Sequence, residues 1–166
     1  MALLDREYFK KQGYEFILKE NLELIEENFD FIIIDTPPSI SFYTINALTA
    51  AHLVIIPTQC EYLSIVGVKQ ITKIIKMVKS KTNPGIDFKL LIIQYDMRLN
   101  ISRYIYNKLN EIYKKKLFNT IISVDTKLKE SQVMGRPVIY YNKQSRAGLQ
   151  YLNLAKEILK GGVTNG

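Results

Sequence analysis

Asp35 follows the apolar run Phe31-Ile32-Ile33-Ile34 and precedes Thr36-Pro37-Pro38-Ser39. That context exposes one carboxylate at the carboxyl edge of a parallel sheet, where a Mg²⁺ site belongs. The ion keeps much of its hydration shell, so a single carboxylate can hold it through water while it bridges phosphate oxygens. A plainer reading stands beside this one, because a strand-end aspartate also caps the next helix or closes an Asx turn. The two consecutive prolines favour the cation site. Phosphoryl transfer further needs backbone N–H groups and a lysine around the phosphates, and no G-x-x-x-x-G-K-[ST] occurs in this chain. Without that cradle Asp35 lacks most of the charge stabilisation the reaction requires, so the chain alone is expected to bind ATP–Mg²⁺ weakly and not to hydrolyse it.

Other reactive groups are sparse. His52 stands beside an apolar run with no partner acid or nucleophile fixed by sequence, and reads as a packed or surface imidazole. Cys60 reads as an ordinary small residue, and as the single cysteine it can form no internal disulfide. With one histidine and one cysteine there is no cluster of soft ligands for zinc or an iron–sulfur centre. No stretch approaches the roughly 18 consecutive apolar residues of a membrane span, and the first residues carry charges where a signal peptide is apolar. A cytoplasmic protein is expected. The formal charge of +7 is unevenly spread: residues 1–29 hold 4 basic and 7 acidic side chains, residues 69–160 hold 19 and 6. Such a basic half can attract nucleic acid or an anionic membrane by counterion release, or it can be an evenly solvated surface. Lys127, Lys129 and Arg136, in a polar segment between the last apolar runs, are the candidates for phosphate contacts.

These groups must be positioned by alternating helices and strands. Residues 15–27 read as an amphipathic helix, 31–34 as a parallel strand buried on both faces, and 41–51 as a second helix. A buried strand closed by proline follows at 52–57. A helix over 64–80 ends at Asn83-Pro84-Gly85, and a strand occupies 88–95. Helix 101–115, strand 117–122, a polar segment 123–136 and an apolar run 138–141, with Tyr140 and Tyr141 at strand or packing positions, lead to a last helix near 145–159. Gly161 and Gly162 end that helix, and the tail is expected to fray. The alternation predicts an α/β fold, a mostly parallel sheet with helices on both faces, in one compact domain over 1–166. The beginning is atypical, since no strand with a glycine-rich turn precedes the acidic first helix.

The blocks FDFIIIDTPPS, AAHLVIIPTQCEYLSIVGV, LLIIQYDMRLNISR and ESQVMGRPVIYYNKQSRAGLQYLNLAKEIL resemble, in order and spacing, the ParA family (ParA/Soj type) of deviant Walker ATPases that partition plasmids and chromosomes. The resemblance runs from about residue 29 to 160. It implies a P-loop NTPase-like fold whose N-terminal strand and Walker A loop are missing from this chain, which matches the C-terminal portion of the domain. By that resemblance Asp35 is the Walker B aspartate, holding Mg²⁺ through water. Thr36, Pro37, Pro38 and Ser39 lie in the switch that responds to the γ-phosphate. Gln59 and Glu61 fall near the nucleotide and dimer side, and Asp96 and Arg98 close the base side of the site.

Intact members of the family bind ATP and Mg²⁺, form a nucleotide-sandwich dimer and bind DNA without sequence preference on the nucleoid. A centromere-binding partition protein stimulates them. Departures from the pattern are the absent phosphate loop, His52 where relatives carry an acid, and Ser123-Val124 where they carry Pro-Arg. The last change removes an arginine that could touch DNA, for which Lys127, Lys129, Arg136 and Arg146 are possible replacements. The resemblance implies a truncated partition ATPase. Two other readings are a septum-placing ATPase of the MinD type, which would end in an amphipathic membrane helix that is not evident here, and a non-catalytic module that pairs with intact paralogues or DNA.

Overall fold

The computed structural model describes residues 13–37 and 39–161. Pro38 of the expected switch, Gly162 and the tail expected to fray lie outside the described residues. The described residues fall into two compact units, those up to 54 with 71–87, and 55–70 with those from 88 onward.

In the first unit, helix α1 (Ile17–Glu23) is flanked by 3-10 turns at Tyr14–Phe16 and Glu26–Asn28, and helix α2 (Phe42–Ala50) follows. The buried Asn46 of α2 ties the N-terminal piece down. Its carbonyl oxygen accepts from Leu18 N at 3.0 Å, and its amide donates to Tyr14 O and Phe42 O at 3.0 and 3.1 Å. At the other end of α2, the Asn83 amide donates to Leu48 O and Ala51 O at 3.1 and 2.7 Å, satisfying carbonyls that a helix end leaves open.

The run 31–34, expected as a strand buried on both faces, is neither. No ladder hydrogen bond reaches it among the described residues, and Ile33 is 93% exposed. β-branched composition marks strand-forming capacity, but a strand exists only with neighbours to pair with, and none lies beside this run among the described residues.

Strands β1 (Leu53–Gln59) and β2 (Asp87–Ile93) are neighbours joined through the long helix α3 (Tyr62–Lys81), the crossover that parallel strands need; residues 55–59, 62–70 and 88–93 of these elements belong to the second unit. Residues 117–123 extend the sheet on the far side of β2, with parallel bridges Leu90 to Leu117 and Tyr95 to Ser123. The expected strand there is thus a bridged extended segment. β2 is buried on both faces, and alternate residues enter different cores. Leu90 and Ile92 pack with Val68 of α3 and with Ile105 and Leu109 of helix α4 (Asn100–Tyr113). Leu91 packs with Phe118, Ile122 and Leu154, the last from helix α7 (Arg146–Lys160), with Leu128 against the same cluster. Helices therefore cover both faces of the sheet, as the alternation predicts.

Three further boundaries differ from expectation. β1 runs through Pro57 to Gln59 instead of ending there, because an edge strand tolerates a missing N–H. The polar segment 123–136 holds a helix, α5 (Thr126–Val133), capped by Asp125. The tyrosines at 140 and 141 lie in a short helix, α6 (Val138–Tyr141), not a strand, since the N–H groups of both turn back to Pro137 O. No described helix is long and apolar enough to cross a membrane.

Candidate functional site

Asp35, Thr36 and Pro37 edge an open groove of about 350 Å³ in the first unit, lined also by Ile17, Leu18, Phe42 and Asn46. Asp35 and Thr36 are exposed. Beyond Pro38, Ser39 O accepts from the Thr44 hydroxyl, drawing the segment onto the first turn of α2. The buried Ser41 Oγ at the α2 N-cap has no hydrogen-bond partner among the described residues.

An exposed carboxylate beside this groove suits one part of a nucleotide site, a hydrated divalent cation. The triphosphate has no such fit. No group of three or more His, Cys, Asp or Glu converges among the described residues, and no glycine there forms a phosphate cradle. Gly67 faces open space, while Gly148 is closed in by backbone carbonyls of its own chain. No catalytic step through ATP can be built from these residues.

Gln59 and Glu61 belong to the second unit, at the turn after β1, where Glu61 N donates to Gln59 O at 2.9 Å. Glu61 is exposed, as are Tyr62 and Leu63 at the start of α3.

The densest polar cluster lies at the carboxyl ends of β2 and of residues 117–123. Gln94 takes a left-handed backbone, φ 51°, and ends β2. Tyr95 N donates to Ile122 O and Val124 N to Tyr95 O, both at 3.1 Å, so the two strand ends leave the sheet together. Asp96 then receives the Arg98 guanidinium at both oxygens, 2.9 and 2.7 Å, and the Arg98 N–H at 3.0 Å. These hydrogen bonds, side chain first, hold the Asp96 carboxyl down to about 2, with the Arg146 charge adding a smaller pull. Arg98 is folded back onto Asp96 although its side chain is 82% exposed.

Beside this pair, Arg146 Nη2 donates to Val124 O at 2.7 Å. Asp125 accepts from Lys127 N and from Ala147 N, each at 2.8 Å, so one carboxylate serves the first turns of α5 and α7. Lys127 Nζ reaches Glu130 at 2.8 Å, and the Tyr141 hydroxyl donates to the same Glu130 oxygen at 2.8 Å. Lys129 and Arg136 are exposed along and after α5, Arg136 lining a second groove of about 290 Å³ with Pro137, Val138 and Tyr151.

The fold thus brings Asp96, Arg98 and Arg146 to one sheet edge, with Lys127 on the adjoining first turn of α5. The residues missed from sequence are Asp125, Glu130 and Gln150, whose side chain pairs with Ser123. An aspartate before a helix-forming stretch is an N-cap signal and could have found the first, but not its bond to Ala147.

A family model described as an AAA domain matches residues 1–88. The chain is similar to the sporulation initiation inhibitor protein Soj of Bacillus subtilis, 36% identical over 149 residues covering 89% of this chain and 59% of that protein. It is also 36% identical to the chromosome partitioning protein ParA of Myxococcus xanthus, over 93% of this chain and 55% of that one. The chain therefore spans little more than half the length of these relatives. Among solved structures, one titled cobyrinic acid a,c-diamide synthase from Mycobacterium smegmatis superposes with TM-score 0.77 at 29% identity, over 98% of this chain and 60% of that one. Apo McdA of Cyanothece superposes with TM-score 0.81 at 14% identity, over 94% and 64%, a likeness of fold alone.

Proposed function

The chain belongs to the ParA family, and on that premise we propose that it works in the partitioning of a plasmid or chromosome, binding DNA through its basic half. The observation that carries this reading is the identity to Soj and ParA along some nine-tenths of the chain. Asp35 would hold a hydrated Mg²⁺, with Thr36, Pro37 and Pro38 beside the phosphates of ATP. Gln59 and Glu61 would face a second copy or a paralogue, and Asp96 and Arg98 the base. Structures of the Mycobacterium smegmatis protein with ADP or an ATP analogue and magnesium, 38% identical over 68% of this chain, support nucleotide and Mg²⁺ as the ligands. A centromere-binding partition protein would be the regulatory partner.

Because the sequence holds no G-x-x-x-x-G-K-[ST] and no described residue cradles phosphates, the chain on its own should bind ATP–Mg²⁺ weakly and turn it over immeasurably slowly. DNA binding needs no such cradle. Lys127, Lys129, Arg136 and Arg146 supply cations for phosphates, which contribute affinity without reading bases. Fluorescence anisotropy with unrelated duplexes should give weak, sequence-independent and steeply salt-dependent binding; no binding at low salt rejects the DNA reading. Calorimetric titration with ATP–Mg²⁺ tests the nucleotide part, and a micromolar affinity of the isolated chain contradicts it.

A further inference from the structure

The Asp125 carboxylate spans two helix starts, accepting from Lys127 N with Oδ1 and from Ala147 N with Oδ2. Its neighbours are laced to α7 as well. Ser123 N donates to Gln150 Oε1 at 2.9 Å, the Gln150 amide donates back to Ser123 Oγ at 3.1 Å, and Val124 O takes the Arg146 guanidinium. Helix N-termini carry partial positive charge, and here the Asp125 carboxylate meets one first-turn N–H of each from within. Its effect is on geometry. Lys127 and Arg146 come from separate helices, 19 positions apart in the chain, and this one carboxylate fixes both first turns. Lys127 is further oriented through Glu130 and Tyr141.

We propose that Asp125 is a positioning residue that holds Lys127 and Arg146 as a single phosphate-gripping pair on duplex DNA. The inference rests on the DNA reading above. Electrostatics alone makes the opposite forecast, because removing an acid beside a phosphate site should strengthen binding. Positioning requires that removing it weakens binding.

The test is a salt titration of the full chain with a fluorescently labelled duplex. Asp125→Ala should lower the affinity and reduce the slope of log affinity against log salt by up to about 2 units, at just under one per lost phosphate contact. The Lys127→Ala/Arg146→Ala double variant should lose the same slope, and Asp125→Ala added to it should change nothing more. Asp125→Asn keeps one acceptor but turns an N–H donor toward the second amide, and should fall between. Circular dichroism checks the fold; should the alanine variant not fold, the asparagine variant carries the same criteria. An unchanged slope or tighter binding, with the unsubstituted chain binding DNA, overturns the inference alone. Failure of the unsubstituted chain to bind overturns the DNA reading and this inference with it.

Discussion

The Asp96 carboxyl, held at about 2 by the Arg98 side chain first and its backbone N–H second, makes a pH-dependent contact whose sign can be worked out. An unfolded aspartate titrates near ~3.9, so the folded form binds its proton less readily. The stabilisation is fully present above about pH 4 and is lost as pH falls through about 2. Carbon-detected NMR should place the Asp96 midpoint near 2, and Arg98→Ala should move it up toward the ordinary aspartate range. A midpoint unmoved by that substitution would remove Arg98 as the cause. Cys60 gives a second expectation. Burial alone raises its thiol to about 11, so at pH 8 almost no thiolate is present and the sulfur lies inside the core. A disulfide reagent should therefore react with it slowly in the folded chain and rapidly in denaturant, and fast reaction under both conditions would refute the packing described for it.

Two glycines on different helices separate backbone need from backbone cost. A Cβ at Gly148 of α7 would stand 2.7 Å from Asn142 O and 2.9 Å from Lys143 O, and neither is the end of a flexible side chain. One at Gly67 of α3 meets nothing within 4 Å. Gly148→Ala should destabilise by about 1–3 kcal/mol. Gly67→Ala should stabilise by up to ~1 kcal/mol, because alanine forms helix better than glycine. Chemical denaturation midpoints that shift the same way for both would contradict this contrast. The same elements show how far the sequence could be read. Helices α3, α4 and α7 were legible because their apolar residues recur on one face, and β2 because it is an unbroken apolar run. α5 was not: TKLKESQV has little apolar periodicity, and its start is set by Asp125, whose second bond comes from 22 positions downstream. Residues 31–34 failed in the other direction. Their composition reports strand capacity, whereas pairing depends on a neighbour that no local pattern encodes. For the candidate site, the end of an apolar run marked Asp35 and the family resemblance marked Asp96, but the grouping of Asp96, Arg98 and Arg146 depended on how the strand ends and α7 come together.

For the molecule as a whole, the exposed apolar run 31–34 and the basic half pull solution behaviour in opposite directions. Ile33, almost wholly exposed in a β-branched segment with no ladder partner among the described residues, is a template for pairing with other chains. Light scattering should show mass rising with concentration, and Ile33→Lys should suppress that rise without lowering the unfolding midpoint. A monomer at every concentration would contradict the expectation. Net charge limits such association at low ionic strength, so added salt should promote it while weakening the proposed DNA binding. A different constraint follows from β2 and bears on how this sequence can diverge. Leu91 belongs to one core and Leu90 and Ile92 to the other, so inserting or deleting a single residue inside the strand would send each side chain downstream into the opposite core. Tolerated length changes should therefore lie outside β2, and homologous sequences should align across this strand without gaps.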